Sequence, residues 1–253
     1  VLNSLLSVTL TGALLLSISS GYASNNWSDI QRQAPDITLQ VLESANLSLT
    51  MLSEPSAALQ PRGTIVLLPD QQQHAFSPNL LNTLRLSLPA AGWHLLVLPA
   101  PDPVELVAPE EKLQLQKTQL AQRWQLLNQQ ANLRQPVIAI AQGETAALLS
   151  LLISETLTSQ PSGLVNLGAY LANYQQHKQL LQQVSLAPLP LLDLITAIDH
   201  PHATAALEQR LLIARQQNNA LYRQRYLAEA YHDEPMQQWL TKEILGWLRT
   251  SGF

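Results

Sequence analysis

Short unbroken apolar runs recur along the chain, each followed by a longer stretch in which leucine and alanine return with helical spacing. The runs Thr64–Leu68 (TIVLL), Leu95–Leu98, Val137–Ala141 (VIAIA), Gly163–Leu167 and Leu189–Ala197 (LPLLDLITA) predict strands buried on both faces. Helices are predicted over Leu80–Leu88, Glu110–Leu133, Glu144–Leu157, Tyr170–Val184, Ala203–Asn218 and Met236–Thr250. The clearest is Glu110–Leu133, where Leu113, Leu120, Trp124, Leu127 and Ala131 share one stripe and two acids open the first turn. Alternation in Ile37–Ser44 and Leu47–Ser53 predicts an early antiparallel hairpin turned at Ala45-Asn46, and Tyr226–Ala230 predicts a last short strand. Repeated prolines make Pro99–Pro109 an irregular loop. Strands alternating with helices imply an α/β fold, a mostly parallel sheet with helices on both faces and right-handed crossovers.

The first residues do not fit that pattern. Leu5–Ile18 is apolar and uncharged, and Gly21-Tyr22-Ala23 follows with small residues where a signal peptidase needs them. The run is short for a bilayer span, which takes about 20 residues. The expectation is a signal peptide over 1–23 and one domain over 24–253, exported to the periplasm and without a transmembrane span in the mature chain. Composition narrows the function classes. With 46% hydrophobic and 13% charged residues the chain can build a core, and a net charge of −4 offers no field for nucleic acid. No cysteine occurs, so thiolate zinc, Fe–S clusters and a thiol nucleophile are excluded. No glycine-rich phosphate cradle is present, and no cofactor or metal is expected.

In such sheets ligands bind at the carboxyl ends of the strands. The informative junction is Val137–Leu149 (VIAIAQGETAALL): a strand, a turn around Gly143, then a helix opening on the small residues Thr145, Ala146 and Ala147. That shape is the setting of a nucleophile elbow, in which G-x-S-x-G holds a serine between strand and helix. Further motifs are Arg62-Gly63 before an apolar strand, Pro69-Asp70-Gln71 at its end, Leu84-Arg85 ahead of Ala91-Gly92-Trp93, and Pro190-Leu191-Leu192-Asp193-Leu194. Asn219 with Tyr222-Arg223-Gln224, His232 and Gly246-Trp247-Leu248 complete the series.

From about residue 35 to the end, this order of motifs resembles the α/β-hydrolase superfamily. It is most similar to an exported bacterial α/β-hydrolase-like family of unknown function. The resemblance implies a triad in the chain order nucleophile, acid, histidine. Asp199, after a late strand, matches the acid, and His232, after the last strand, matches the histidine. The nucleophile position has two registers. One puts Gly143 at the apex and keeps the usual spacing from Pro136; it is the expected one and supplies no attacking atom. The other puts Glu144 there, a carboxylate of the dehalogenase type, though longer than the aspartate those enzymes carry. Oxyanion donors are expected from the turn holding Asp70 and Gln71, and from the Glu144 amide after the apex.

Each of these residues also has a plainer reading. Asp199 would cap the helix starting near Ala203. Asp193, inside an apolar strand, needs a buried donor and is read as structural. His200-Pro201-His202 beside Asp199 is a weak metal pattern. Trp124, Trp239 and Trp247 are core by default. The expected function is an exported α/β-hydrolase-fold protein that has lost its nucleophile and binds a small molecule or an envelope protein. The alternatives are a weak ester or amide hydrolase using Glu144 or water activated by His232, and a structural envelope adaptor.

Overall fold

A computed structural model describes residues 27, 30, 32, 34, 36–71, 73–77, 80–155, 157–228 and 234–253. The expected signal segment over 1–23 and the candidate base His232 lie outside the described residues.

Eight strands form one sheet: β1 (Thr38–Ser44), β2 (Leu47–Glu54), β3 (Thr64–Leu68), β4 (His94–Val97), β5 (Val137–Gln142), β6 (Gly163–Leu167), β7 (Leu191–Thr196) and β8 (Tyr222–Leu227). Their order is β1-β2-β4-β3-β5-β6-β7-β8. The hairpin β1–β2 is antiparallel, turned at Ala45-Asn46, and β2 meets β4 antiparallel. From β4 to β8 every pairing is parallel. The chain runs outward from β3 to β4 and then returns across β3 to lay down β5. That reversal opens a crevice at the carboxyl ends of β3 and β5.

The helices are α1 (Leu80–Ala90), α2 (Pro109–Gln130), α3 (Gly143–Glu155), α4 (Tyr174–Ser185), α5 (Pro201–Ala205), α6 (Leu207–Gln216) and α7 (Glu234–Thr250). Because successive strand side chains point to opposite faces, the central strands serve two cores at once. Val66, Leu68, Ala139 and Ala141 pack with α2, α3 and α4, through Leu120, Trp124, Leu148 and Leu180. Ile65, Leu67, Ile138 and Ile140 pack with α1 and α7, through Leu84, Leu88, Ile244 and Trp247. This double covering is why those strands read as unbroken apolar runs.

Several boundaries differ from the sequence expectation. The last strand is Tyr222–Leu227, four residues earlier than expected at its start. As the sheet's edge it carries Arg223 and Arg225 toward solvent while Gln224 turns in to donate to the Leu207 carbonyl and the Tyr222 hydroxyl, a polar centre that hid the strand; charge on an edge also discourages pairing with other chains. The helix expected from Tyr170 begins at Tyr174, because the Asn173 side chain caps it by accepting from the Gln175 and Gln176 amides. The stretch expected as one helix over Ala203–Asn218 divides at Ala206. Trp124 and Trp247 are core, but Trp239 is 41% exposed, since its side of α7 faces away from the sheet.

Asp193 is fully buried in β7 and has found its donors. Arg210 donates to both carboxylate oxygens at 3.1 and 3.3 Å, and the Tyr222 hydroxyl donates at 2.8 Å. Arg210 also donates to the Ala169 carbonyl at 2.7 Å, tying α6 to the loop after β6. Among the described residues no helix is long and apolar enough to cross a membrane.

Candidate functional site

The crevice between β3 and β5 is built from two strand ends. After β5 the chain turns directly into α3 at Gly143, whose φ of 58° is left-handed backbone that glycine adopts without strain. After β3 it passes Pro69 to Asp70, whose side chain reaches across to that turn. Asp70 Oδ1 accepts from the Gln71 amide at 2.9 Å and from the Glu144 amide at 3.1 Å. A β-carbon placed on Gly143 would stand 2.0 Å from Asp70 Oδ2. The aspartate thus fills the space in which any side chain at position 143 would begin. Two amides converging on one oxygen can hold a developing negative charge, and here they hold the carboxylate of the chain itself.

Burial pushes the Asp70 carboxyl up from 3.8 to about 6, with the nearby Glu144 charge adding to the rise and the amide hydrogen bonds opposing it. Tyr170, from the loop after β6, closes the same crevice. Its amide donates to the Gly143 carbonyl at 3.4 Å, and its ring stacks on His200 at 4.0 Å with the planes 2° apart. Burial, then the Asp70 and Glu144 charges, raise the phenol to about 12, so it stays a neutral donor. His200 is held below its usual value by burial and by His202, with Glu144 opposing.

Gly143, not Glu144, occupies the left-handed position at the turn. Glu144 contributes its amide to the Asp70 oxygen, while its carboxylate points elsewhere, accepting from the Ala172 amide at 3.4 Å. There it lines a cavity of about 300 Å³ between the start of α2 and the loop before α4. Asp199 follows β7 and does not cap the helix after it: its carboxylate turns back to accept from the Thr196 amide at 2.7 Å. The cap belongs to His200, whose Nδ1 accepts from the His202 amide at 3.1 Å. Asp199 lies over Gly168 (φ 63°) much as Asp70 lies over Gly143, with a β-carbon there only 2.6 Å from its Cγ.

Two histidines grip the loop after β6. His202 Nδ1 donates to the Leu171 carbonyl at 2.8 Å, and His177 Nδ1 accepts from the Leu171 amide at 3.2 Å. His177 is lowered to about 4 by burial first and then by the Arg210 charge, so it remains neutral. Among the described residues no group of three or more His, Asp or Glu side chains is arranged to hold a metal.

Sequence reasoning placed Asp70 among the oxyanion candidates of its turn and Tyr170 only at the start of a helix, and did not foresee the cavity beside Glu144. The usable signal for Asp70 was an acid immediately after a strand-ending proline, one strand away from a glycine turn. The signal for Tyr170 was weaker, a lone aromatic following Gly168-Ala169.

The fold has many solved relatives. The esterase domain of a Rhodothermus marinus protein superposes with a TM-score of 0.59 at 12% identity, over 85% of this chain and 98% of that one. An esterase of Pyrococcus furiosus gives 0.62 at 8% identity, over 91% and 96%. The thioesterase domain from the curacin biosynthetic pathway gives 0.56 at 12% identity, over 83% and 99%. At such identities the likeness establishes the fold, that of the α/β-hydrolases. No curated protein matches the chain in sequence. A family model described as "Protein of unknown function (DUF3530)" matches residues 23–119 and 107–250, and the chain belongs to that family.

Proposed function

We propose that this chain is an exported α/β-hydrolase-fold protein that binds a ligand, a small molecule or an envelope protein, instead of performing covalent acyl transfer. The observation that carries this reading is the Asp70 carboxylate over Gly143. An acyl-transfer site needs an attacking atom at the turn and empty donors beside it. Here glycine offers no attacking atom, and the Gln71 and Glu144 amides are already engaged. The apolar run Leu5–Ile18 with Gly21-Tyr22-Ala23 supports export to the periplasm, leaving 24–253 as the working domain. Purified protein should not turn over short-chain chromogenic esters and should not be labelled by a fluorophosphonate. Labelling, or turnover that persists in Asp70→Asn, would overturn the reading.

One observation favours a second reading, a slow hydrolase with Asp70 rather than Glu144 as its base. Asp70 Oδ1 is anchored by two amides, and burial holds the carboxyl at about 6, suited to taking a proton near neutrality. Water would give its proton to Oδ2 as its oxygen bonds to the ester carbonyl carbon; the leaving alkoxide would then take up that proton. Turnover lost in Asp70→Asn and rising with pH through about 6 would select this reading over the first.

A further inference from the structure

Three sequence motifs that the strand-end crevice leaves unused meet at the opposite end of the sheet. Arg62-Gly63 leads into β3, Ala91-Gly92-Trp93 leads into β4, and Gly246-Trp247-Leu248 lies in the last turns of α7. The Arg62 amide donates to the Gly92 carbonyl at 2.9 Å, and its side chain folds back over that turn: a β-carbon on Gly92 would stand 3.5 Å from Arg62 Nε. Glycines at the strand starts make room for two rings. A β-carbon on Gly63 would stand 2.9 Å from Trp93 Cζ3, and one on Gly163 2.9 Å from Phe253 Cε2. Between these pieces lies a cavity of about 210 Å³, walled by Trp93, Leu245, Leu248 and Phe253. Its only charged lining residues are Arg62 and Arg249, both exposed. Neither guanidinium has a hydrogen bond or ion pair among the described residues, whereas Arg85, Arg123, Arg210 and Arg225 each meet a carboxylate.

We infer that this cavity binds an anionic head, a carboxylate or a phosphate ester, carried on a short apolar chain. The chain packs on Trp93, Leu248 and Phe253, and the head is held by Arg62 and Arg249. Guanidinium forks fit carboxylate and phosphate oxygens alike. A cationic head is repelled by both arginines, and a neutral one gains no charge-assisted hydrogen bond from either. The end of α7 does not oppose the anion with bare carbonyls. Those of Trp247, Leu248 and Arg249 accept from the Ser251, Phe253 and Gly252 amides at 2.9, 3.0 and 3.3 Å. The volume lies below the roughly 300 Å³ at which sites for drug-sized ligands begin, which limits the chain to a short one. This is a second site, and it stands whether the crevice at Asp70 binds or hydrolyses.

Titration calorimetry of the purified protein at low ionic strength, with hexanoate, hexyl phosphate, hexanol and hexylamine, tests this with four heads on one tail. Both anions should bind at least about tenfold more tightly than hexanol, the weight of one charge-assisted hydrogen bond, with hexylamine weakest. The tighter of the two anions identifies the head. Arg62→Gln and Arg249→Gln should each cost about tenfold for the anions and leave hexanol unchanged. Both positions are exposed, so the variants keep the fold. Leu245→Trp, at a half-buried position on the wall, should fill the cavity and weaken both anions and hexanol together. Equal affinity for the anions and hexanol, arginine variants that bind both anions as the native protein does, or no binding of either anion overturns the inference. Ester turnover and fluorophosphonate labelling judge the crevice separately, so either reading can fail alone.

Discussion

Two aspartates with two strands between them in one sheet show what a buried carboxylate can be used for. Asp193 sits inside β7 with an arginine on both oxygens and a tyrosine hydroxyl on one of them. Burial, then the Asp193 charge, keep the Tyr222 phenol far above its usual range, so it always donates. This group is closed: its charge is matched and its partners bind the β7–β8 edge to α6. Asp70, just past the end of β3, has two neutral amides on one oxygen, a second acid nearby, and no ion pair among the described residues. The cost of burying its charge is therefore met only in part, and the carboxyl holds its proton to higher pH. A matched buried charge belongs to the framework; a poorly matched one at a strand end marks a functional crevice.

The largest expected effect breaks the closed member of the pair. Asp193→Ala leaves Arg210 charged, buried and without its carboxylate, and removal of one partner from such a pair costs about 3–5 kcal/mol. Urea unfolding of the variant should show that loss. A change below about 1 kcal/mol would mean that water reaches Arg210 and that the contrast with Asp70 is not one of matching.

The next effect is smaller and opposite in sign. The folded Asp70 carboxyl keeps its proton up to about pH 6, whereas an unfolded one releases it near 3.8. Between those values the folded state binds more protons, so this group makes stability fall as pH rises, and the deficit is complete above pH 6. From 3.8 to about 6 the deficit reaches about 3 kcal/mol. Asp70→Asn keeps the shape and the accepting oxygen without the charge. It should match the native protein near pH 4 and exceed it by up to about 3 kcal/mol at pH 7, read from denaturant midpoints at both pH values. A variant that is less stable at pH 7 would show that the ionised carboxylate is well satisfied.

The same contrast explains what the sequence made legible. Strands β3, β5, β6 and β7 announce themselves because both faces are covered, and Gly143 is visible because strand, glycine and small-residue helix are contiguous. Asp193 was readable as structural for a local reason too, since an acid within LPLLDLITA must meet a donor. The Asp70 side chain was not readable. Its meeting with Gly143 depends on strand order, which sets β3 beside β5 although 73 positions separate the two residues, and no local pattern encodes that adjacency. Edge strand β8 was misplaced for the converse reason: with Arg223, Arg225 and Tyr226 turned to solvent and the polar Gln224 between them, its register is set by pairing with β7 and not by an apolar run.

The smallest effect sharpens the comparison most, because it asks whether Asp70 and Gly143 act as one unit. Gly143→Ala adds a methyl 2.0 Å from Asp70 Oδ2 at a left-handed φ of 58°, so it must both displace the carboxylate and strain the backbone. In an Asp70→Gly background the first burden disappears and only the second remains, about 1–2 kcal/mol for a left-handed alanine. A double-mutant cycle on unfolding free energies should therefore show alanine tolerated better once the aspartate is gone, while two independent sites would simply add. The same pair of substitutions at Gly168 and Asp199 is the internal control, as there too a carboxylate covers a left-handed glycine. Additivity at Gly143 with coupling at Gly168 would transfer the occupied-turn interpretation from β5 to β6.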